Sequence, residues 1–236
     1  MALVANLSSD LMFSSTSSIP NDNRQGFRFL DLPAELRRHI LELALCVNCT
    51  IDLDPANYWR IAPRLELLQV SRKIHAEAYA IFYGRHTFRL FPTHGRFFGD
   101  RGQSLISRLP RQYRAAITSL ELRLGPGWNK PPKSWAVSQL LGLEDAVSVR
   151  TLRVFVECDP SHDSFRGFRM TEPSFTDFAG SILQDVIRTI PSIEVIQLDG
   201  HSFISRDGHL MSRLLQIAEA EQKRITWGSM AVWVDE

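Results

Sequence analysis

The apolar residues between positions 33 and 47 recur at helical spacing, and they predict a helix with two apolar sides. At about 100° per residue, one side carries a continuous stripe: Leu36, Ile40, Leu43, Ala44 and Val47. A smaller set lies on the opposite side: Ala34, Leu41 and Leu45. A single core needs only one of these sides. We expect the larger stripe to face the core, and the smaller set to be either a docking surface or the contact with the rest of the chain.

A second apolar stripe predicts one long helix over residues 63–83, with Gly84 at the C′ position that ends it. Its members recur at spacings of three and four: Leu67, Val70, Ile74, Ala78 and Ile81. Short alternating segments at 49–54 and 86–91 predict strands. The proline-bounded segment 55–63 predicts a loop.

Beyond Pro92 the pattern changes to predicted strands that alternate with predicted helices. Three segments share an apolar-x-x-apolar-x-apolar pattern at offsets of 32 and 41 residues: Ile117/Leu120/Leu122, Val149/Leu152/Val154 and Ile190/Ile193/Val195. The remaining periodic positions predict four helices and a last strand, over residues 97–109, 134–147, 174–190, 207–223 and 230–234. Such alternation indicates parallel strands joined by right-handed crossovers.

These elements define the predicted fold class and its domains. The fold is α+β overall, with a small helical module over residues 26–91 packed on an α/β layer over residues 92–236. Residues 1–25 are rich in serine and asparagine, and this composition predicts a disordered leader. The repeated pattern in the layer is typical of degenerate leucine-rich repeats or of an ordinary compact α/β layer, and the sequence leaves both open.

Composition and charge narrow the functional classes. The chain has 236 residues and a formal net charge of +1, so no overall field draws it to nucleic acid or to an acidic membrane. No apolar run approaches the roughly 18 residues that a membrane span needs. The first arginine is Arg24 and the early apolar residues are scattered, so no secretion signal is predicted. We therefore expect a cytoplasmic or nuclear protein without a membrane partner.

Sequence motifs for catalysis are missing from the chain. It contains no G-x-x-x-x-G-K-[ST] phosphate loop and no G-x-S-x-G nucleophile elbow. Cys46 and Cys49 form one C-x-x-C, but no second Cys or His pair at similar spacing completes a zinc site. We therefore predict a non-enzymatic protein with no catalytic residue, no cofactor and no metal.

The densest basic segment contains Arg108, Arg111 and Arg114 around Tyr113. Interleaved arginine and aromatic side chains can grip a nucleic-acid backbone and stack on its bases. On a nearly neutral chain such a cluster is also typical of a solvated surface. Weak nucleic-acid binding is therefore a functional hypothesis, and it is less favoured than the two hypotheses that follow from the motifs described next.

Two longer motifs occur in order within residues 27–91. The first, FLDLPAELRRHILELAL, fits the pattern LPxELRxxIxxLAL from Leu32 to Leu45. The second, LLQVSRKIHAEAYAIFYGRHTFRL, fits LLxVxRxIxxEAxxIFYxxxTF from Leu67 to Phe88. Together they resemble the F-box-like N-terminal module found in many filamentous-fungal proteins.

This resemblance implies a function. An F-box is a small helical module that docks on the Skp adaptor of cullin–RING ubiquitin ligases, and the C-terminal part recognises a protein substrate, often with leucine-rich repeats. By resemblance, six residues would meet the adaptor: Leu32, Pro33, Leu36, Ile40, Leu41 and Leu45. The leading hypothesis is a substrate-recognition subunit of a ubiquitin ligase, with an unidentified protein substrate. The alternative is a scaffold or regulatory protein that keeps an F-box-like fold without binding the adaptor.

Overall fold

The computed structural model describes six stretches of the chain: residues 27–52, 55–93, 104–125, 135–158, 172–201 and 204–229. Their α-helices are α1 (Ala34–Leu45), α2 (Pro55–Leu65), α3 (Arg72–Arg85), α4 (Leu105–Arg108), α5 (Arg111–Ala116), α6 (Glu172–Thr189) and α7 (His209–Ala220). The strands are β1 (Thr87–Arg89), β2 (Ser119–Leu124), β3 (Thr151–Val156), β4 (Val195–Gly200) and β5 (Arg224–Trp227). The predicted α+β fold class is confirmed. No helix in these stretches is long and apolar enough to cross a membrane.

All five strands form one parallel sheet, and their order in the sheet is their order in the chain, β1-β2-β3-β4-β5. Every connection therefore steps in the same direction along the sheet. Because crossovers between parallel strands are almost always right-handed, this order puts the connections on one face. A doubly wound sheet differs, since its strand order reverses and its helices cover both faces.

The two faces of the sheet differ in polarity. Side chains alternate between the faces along each strand, and one face is apolar and buried: Leu120, Leu122, Leu124, Leu152, Val154, Val156, Ile196 and Leu198. On the opposite face, charged residues pair across neighbouring strands, Arg89 with Glu121 and Arg153 with Asp199. A slip of one residue would move the apolar set to the charged face, so burial of one face fixes the register.

Each copy of the repeated apolar pattern begins just before one of the three central strands and continues into that strand. The strand register aligns Leu120 and Leu152 with Ile196. The equivalent triplets are therefore Ile117/Leu120/Leu122, Val149/Leu152/Val154 and Ile193/Ile196/Leu198, and each of these side chains is at most 1% exposed. The predicted third triplet was wrong by three residues, because Ile190, just after α6, is also buried and gives the same spacing.

The predicted helices of the C-terminal layer have mixed outcomes. The helix predicted over 174–190 is confirmed as α6, and that over 207–223 as the shorter α7. The helix predicted over 134–147 is wrong, because two 3₁₀ turns, Gln139–Leu141 and Leu143–Asp145, occupy the described part of this segment. Gly142 separates the turns with a left-handed φ of 63°, which interrupts a helical path.

Two further predicted elements, a helix and a strand, lie partly or wholly outside the described stretches. Of the helix predicted over 97–109, the described residues contain only the short α4. The last strand predicted over 230–234 lies outside the described residues, and β5 precedes it in the chain.

The helical module differs from its prediction between residues 55 and 85. The segment 55–63, predicted as a loop, forms most of α2, and the helix predicted over 63–83 is interrupted by a 3₁₀ turn at Glu66–Gln69. The second part starts afresh because the Ser71 hydroxyl accepts a hydrogen bond from the backbone N–H of Ile74 at 3.2 Å, which caps α3. The helix then continues through Gly84 and ends at Arg85.

The module and the sheet share one hydrophobic core. Strand β1 follows α3 directly and is the first strand of the sheet. Of the segment predicted as a strand at 49–54, the described residues 49–52 make one parallel bridge, between Ile51 and Phe88 of β1. Strand β1 of the predicted module therefore belongs to the same sheet as the strands of the predicted layer, and the predicted domain boundary at residue 91 stays a prediction.

Candidate docking surface on the first helix

The buried side of α1 is the side with the fewer apolar residues. Leu41 and Leu45 are 3% and 0% exposed, and Arg37, one turn before Leu41, is also buried. The Arg37 guanidinium donates from Nε and Nη2 to the two carboxylate oxygens of Glu77 on α3, at 3.0 and 2.6 Å. It also donates from Nη1 to the carbonyl oxygen of Leu32. This bidentate ion pair holds α1 on α3 with the Leu41 side inward.

The opposite side of α1 is an exposed aliphatic surface. Leu36, Ile40 and Leu43 are 52%, 41% and 70% exposed, and they occupy successive turns of one helix face. We call these three residues the outer stripe. Phe27 and Leu30, in the segment that leads into α1, are exposed as well. Scattered exposed leucines are ordinary, whereas a contiguous apolar row on one helix face is a candidate docking surface.

The geometry corrects two sequence predictions about α1. The prediction that the larger stripe faces the core is wrong for its main members, because Leu36, Ile40 and Leu43 face outward. Leu41 and Leu45, expected among the adaptor contacts, are wrong as contacts, because the protein's own core covers them.

The other four predicted contact residues remain accessible. Pro33, Leu36 and Ile40 are exposed, and Leu32 is half-buried. Leu43 was not among the predicted contacts, yet it is the most exposed leucine of the helix. Its place in the LxxxIxxL spacing of Leu36, Ile40 and Leu43 is the signal that could have assigned it.

A charged cluster borders the remaining side of α1. Glu42 accepts hydrogen bonds from Arg85 of α3 at 2.9 Å and from Arg38 at 3.2 Å. The hydrogen bond from Arg85, with that from Arg38, holds the pKa of Glu42 below its usual value. A groove of about 510 Å³ lies here between α1 and α3, with Ala34, Gly84 and these charged side chains among its walls. The outer stripe is therefore separate from this groove and from the core.

The predicted basic patch is partly neutralised within the chain. Arg111 and Arg114 both form ion pairs with Asp145, at 2.9 and 2.8 Å. The hydrogen bond from Arg114, with help from Arg111, lowers the pKa of Asp145. Arg108 lies on the neighbouring helix α4 and is exposed. Weak nucleic-acid binding through these residues stays a prediction.

Tyr113, the aromatic residue of that patch, packs inward. Its ring stacks on Tyr83 with a centroid separation of 4.7 Å, and its hydroxyl lies 3.0 Å from Nε2 of His75. Tyr83 therefore occupies one face of this ring, and a base would have to displace it to stack there.

The cysteine pair shows ordinary thiols. Cys46 and Cys49 are free, and burial raises the pKa of both. Within the described stretches, no group of three or more His, Cys, Asp or Glu side chains is arranged to hold a metal ion. The nucleophilic thiolate is therefore disfavoured at both positions.

No protein-family model matches the chain, and neither a curated protein nor a solved structure matches it. The likeness to F-box modules therefore depends on the motif residues themselves.

Proposed function

We propose that the chain is an F-box-type substrate-recognition subunit of a cullin–RING ubiquitin ligase, and that the outer stripe of α1 docks on the Skp-type adaptor. The observation that carries the proposal is the exposed row Leu36, Ile40 and Leu43. These residues belong to the motif that resembles an F-box, and they face away from the protein's own core.

The surface has the character of a helix that binds in a groove. In this mode an amphipathic helix presents apolar anchors at spacings of three and four to a partner. Complete burial of each anchor would contribute up to roughly 1.5–3 kcal/mol relative to full exposure, and less here because the three side chains are already partly covered, so the outer stripe would supply part of the binding free energy. The Arg37–Glu77 pair supports this use because it fixes the helix before a partner arrives.

The sheet layer would then present the protein substrate to the ligase. Its strands run in one direction and step along the sheet in chain order, as expected for a strand–helix repeat. This function belongs in the cytoplasm or nucleus, where cullin–RING ligases act.

The second candidate is a scaffold that keeps this fold without binding an adaptor. It is favoured by the burial of Leu41 and Leu45, since two of the residues expected at the adaptor serve the protein's own core. In this alternative, the outer stripe would have another partner.

Co-purification with the Skp-type adaptor tests the proposal. The variant Leu36→Glu/Ile40→Glu/Leu43→Glu places three charges on the outer stripe, whereas the control Leu140→Glu/Val147→Glu places charges on two exposed apolar residues of the other region. We expect the wild type and the control to retain the adaptor and the triple variant to lose it. A wild type that does not bind the adaptor would favour the scaffold, and a triple variant that still binds would remove the outer stripe from the interface.

A further inference from the structure

A polar pocket lies on the side of α2 that faces the loop after α1. Its volume is about 520 Å³. Six residues line it: Cys46, Val47, Asn48, Cys49, Arg60 and Arg64. The proposed adaptor surface does not include any of them.

The charge of this pocket is one-sided. Arg60 and Arg64 are four residues apart on α2, which places both side chains on one face of the helix. The described lining contains these two guanidinium groups and no carboxylate. Neither arginine forms an ion pair with any residue that the structure describes, in contrast to Arg111 and Arg114.

The guanidinium groups lie close enough to the two thiols to affect their pKa values. Burial raises the pKa of Cys49, together with the charge of Asp52, and the positive charge of Arg60 opposes that rise. Burial also raises the pKa of Cys46, together with the charge of Glu42, while Arg85 and Arg64 oppose the rise. The guanidinium charges therefore act on the interior of the pocket.

The walls of the pocket are held in place by the fold. Nη1 of Arg64 donates to the carbonyl oxygen of Ala44 at 2.6 Å, which leaves its other N–H groups for a ligand. On the loop side, the backbone N–H of Val47 donates to Nε2 of His86 at 3.0 Å. The buried His86 ring is itself oriented by Phe82, whose carbonyl oxygen lies 2.8 Å from Nδ1. Arg64 and the loop backbone are therefore positioned before binding, whereas the exposed side chains of Arg60 and Asn48 would be ordered by the ligand.

We propose that this arginine pocket binds a phosphate group, either as the free anion or as a phosphomonoester. The planar guanidinium fork matches the oxygens of a phosphate, and two adjacent forks suit its double negative charge. The Asn48 side chain in the lining offers a further N–H donor. A metal cation is disfavoured in spite of the two cysteines, because the same two positive charges would repel it.

Calorimetric titration at constant ionic strength tests this site, with inorganic phosphate and O-phosphoserine as the two probes and serine as the blank. The variant Arg60→Gln/Arg64→Gln is compared with Arg72→Gln/Arg224→Gln, which removes the same charge from two exposed arginines outside the pocket. We expect saturable binding to the wild type and the control, weakened about tenfold or more in the pocket variant, since a charge-assisted hydrogen bond contributes roughly 1.5–3 kcal/mol. Tighter binding of O-phosphoserine would identify a phosphorylated side chain as the source, and tighter binding of inorganic phosphate would identify the free anion.

A local readout separates the pocket from other anion sites. Bound phosphate should slow the alkylation of Cys46 and Cys49, measured by peptide mass spectrometry, while Cys158 after β3 serves as the internal reference. Arg64→Gln also removes the bond to Ala44, so Arg60→Gln alone keeps the test valid if the double variant does not fold. No saturable binding to the wild type, unchanged affinity in Arg60→Gln, or equal slowing at Cys158 would overturn the proposal.

Discussion

The helical module and the sheet layer of this chain use apolar residues differently. In the layer, the apolar positions of the central strands are buried almost without exception, as Leu120, Leu152 and Ile196 show. In the module, α1 buries two of its leucines and exposes Leu36, Ile40 and Leu43 on the opposite side. An apolar pattern therefore identifies the core-facing side of an element when only one of its faces is apolar. When two faces are apolar, as in α1, the pattern does not tell which of them is buried. Four predictions test this comparison, from the largest expected effect to the smallest.

Truncation of the core should cost about the same in both regions. Leu152→Ala in β3 and Leu45→Ala in α1 each remove a side chain that is 0% exposed. Both should lower the free energy of unfolding by about 2–5 kcal/mol, because a buried cavity remains. Urea denaturation measures the change. If Leu45→Ala costs far less than Leu152→Ala, the module is not part of the shared core.

Gly142 should not tolerate a side chain. A Cβ there would lie 2.7 Å from the guanidinium carbon of Arg114, and the residue has a left-handed φ of 63°. Gly142→Ala should destabilise the protein by about 1–2 kcal/mol from the backbone conformation alone. Gly84→Ala is the matched control, because a Cβ on this residue of α3 would meet only ordinary contacts, with Ala116 and Thr118, and the substitution should be neutral or stabilising. Thermal unfolding of both variants distinguishes the two sites, and equal shifts would contradict the described turn at Gly142.

The junction between the module and the sheet should weaken in acid through His86. Burial lowers the pKa of His86 from its ordinary value, and its Nε2 must stay unprotonated to accept from the N–H of Val47. Above about pH 6.5 the ring is neutral in the folded and unfolded chains, so its contribution to stability is fully present. As the pH falls below that value, the unfolded chain takes up the proton first, and stability is lost until the lower folded pKa is reached.

Urea denaturation between about pH 7 and pH 5.5 measures this loss. His86→Gln should flatten the dependence on pH, whereas His39→Gln, at an exposed position of α1, should leave it as in the wild type. A wild-type slope that survives in His86→Gln would assign the loss to another group.

The outer stripe should contribute almost nothing to the stability of the free protein. Leu43 is 70% exposed, so Leu43→Ala should change the free energy of unfolding by no more than about 0.5 kcal/mol. The contrast with Leu45→Ala, two residues further on, is measured in the same urea titration. A loss above about 2 kcal/mol for Leu43→Ala would mean that this side chain is buried after all.

The sequence was sufficient to predict the α+β class, the parallel strands and α6. In the sheet layer, one face of the strands is apolar and buried. The period-two alternation and the repeated triplets follow from this burial, so the local pattern predicts these strands reliably. The third triplet was misplaced only because Ile190 repeats the spacing of the true members.

The orientation of α1 could not be read from periodicity, since both of its sides carry aliphatic residues. The decisive contact is the ion pair between Arg37 and Glu77, which are 40 residues apart in the chain. Both belong to the two motifs, and Arg37 shares a helix face with Leu41. The pairing itself is long-range, so local periodicity does not select it. The arginine pocket was missed for a different reason, because the segment that carries Arg60 and Arg64 was predicted mainly as a loop.

Thiol labelling at two neighbouring positions of α1 tests the central claim most directly. Single variants Leu43→Cys and Leu41→Cys place a thiol on the outer stripe and on the buried side, and peptide mass spectrometry follows their maleimide labelling with and without the Skp-type adaptor. We predict rapid labelling at position 43 that the adaptor slows, and slow labelling at position 41 in both conditions. Faster labelling at position 41, or labelling at position 43 that the adaptor leaves unchanged, would contradict the account of α1 as a helix whose exposed side docks on the adaptor.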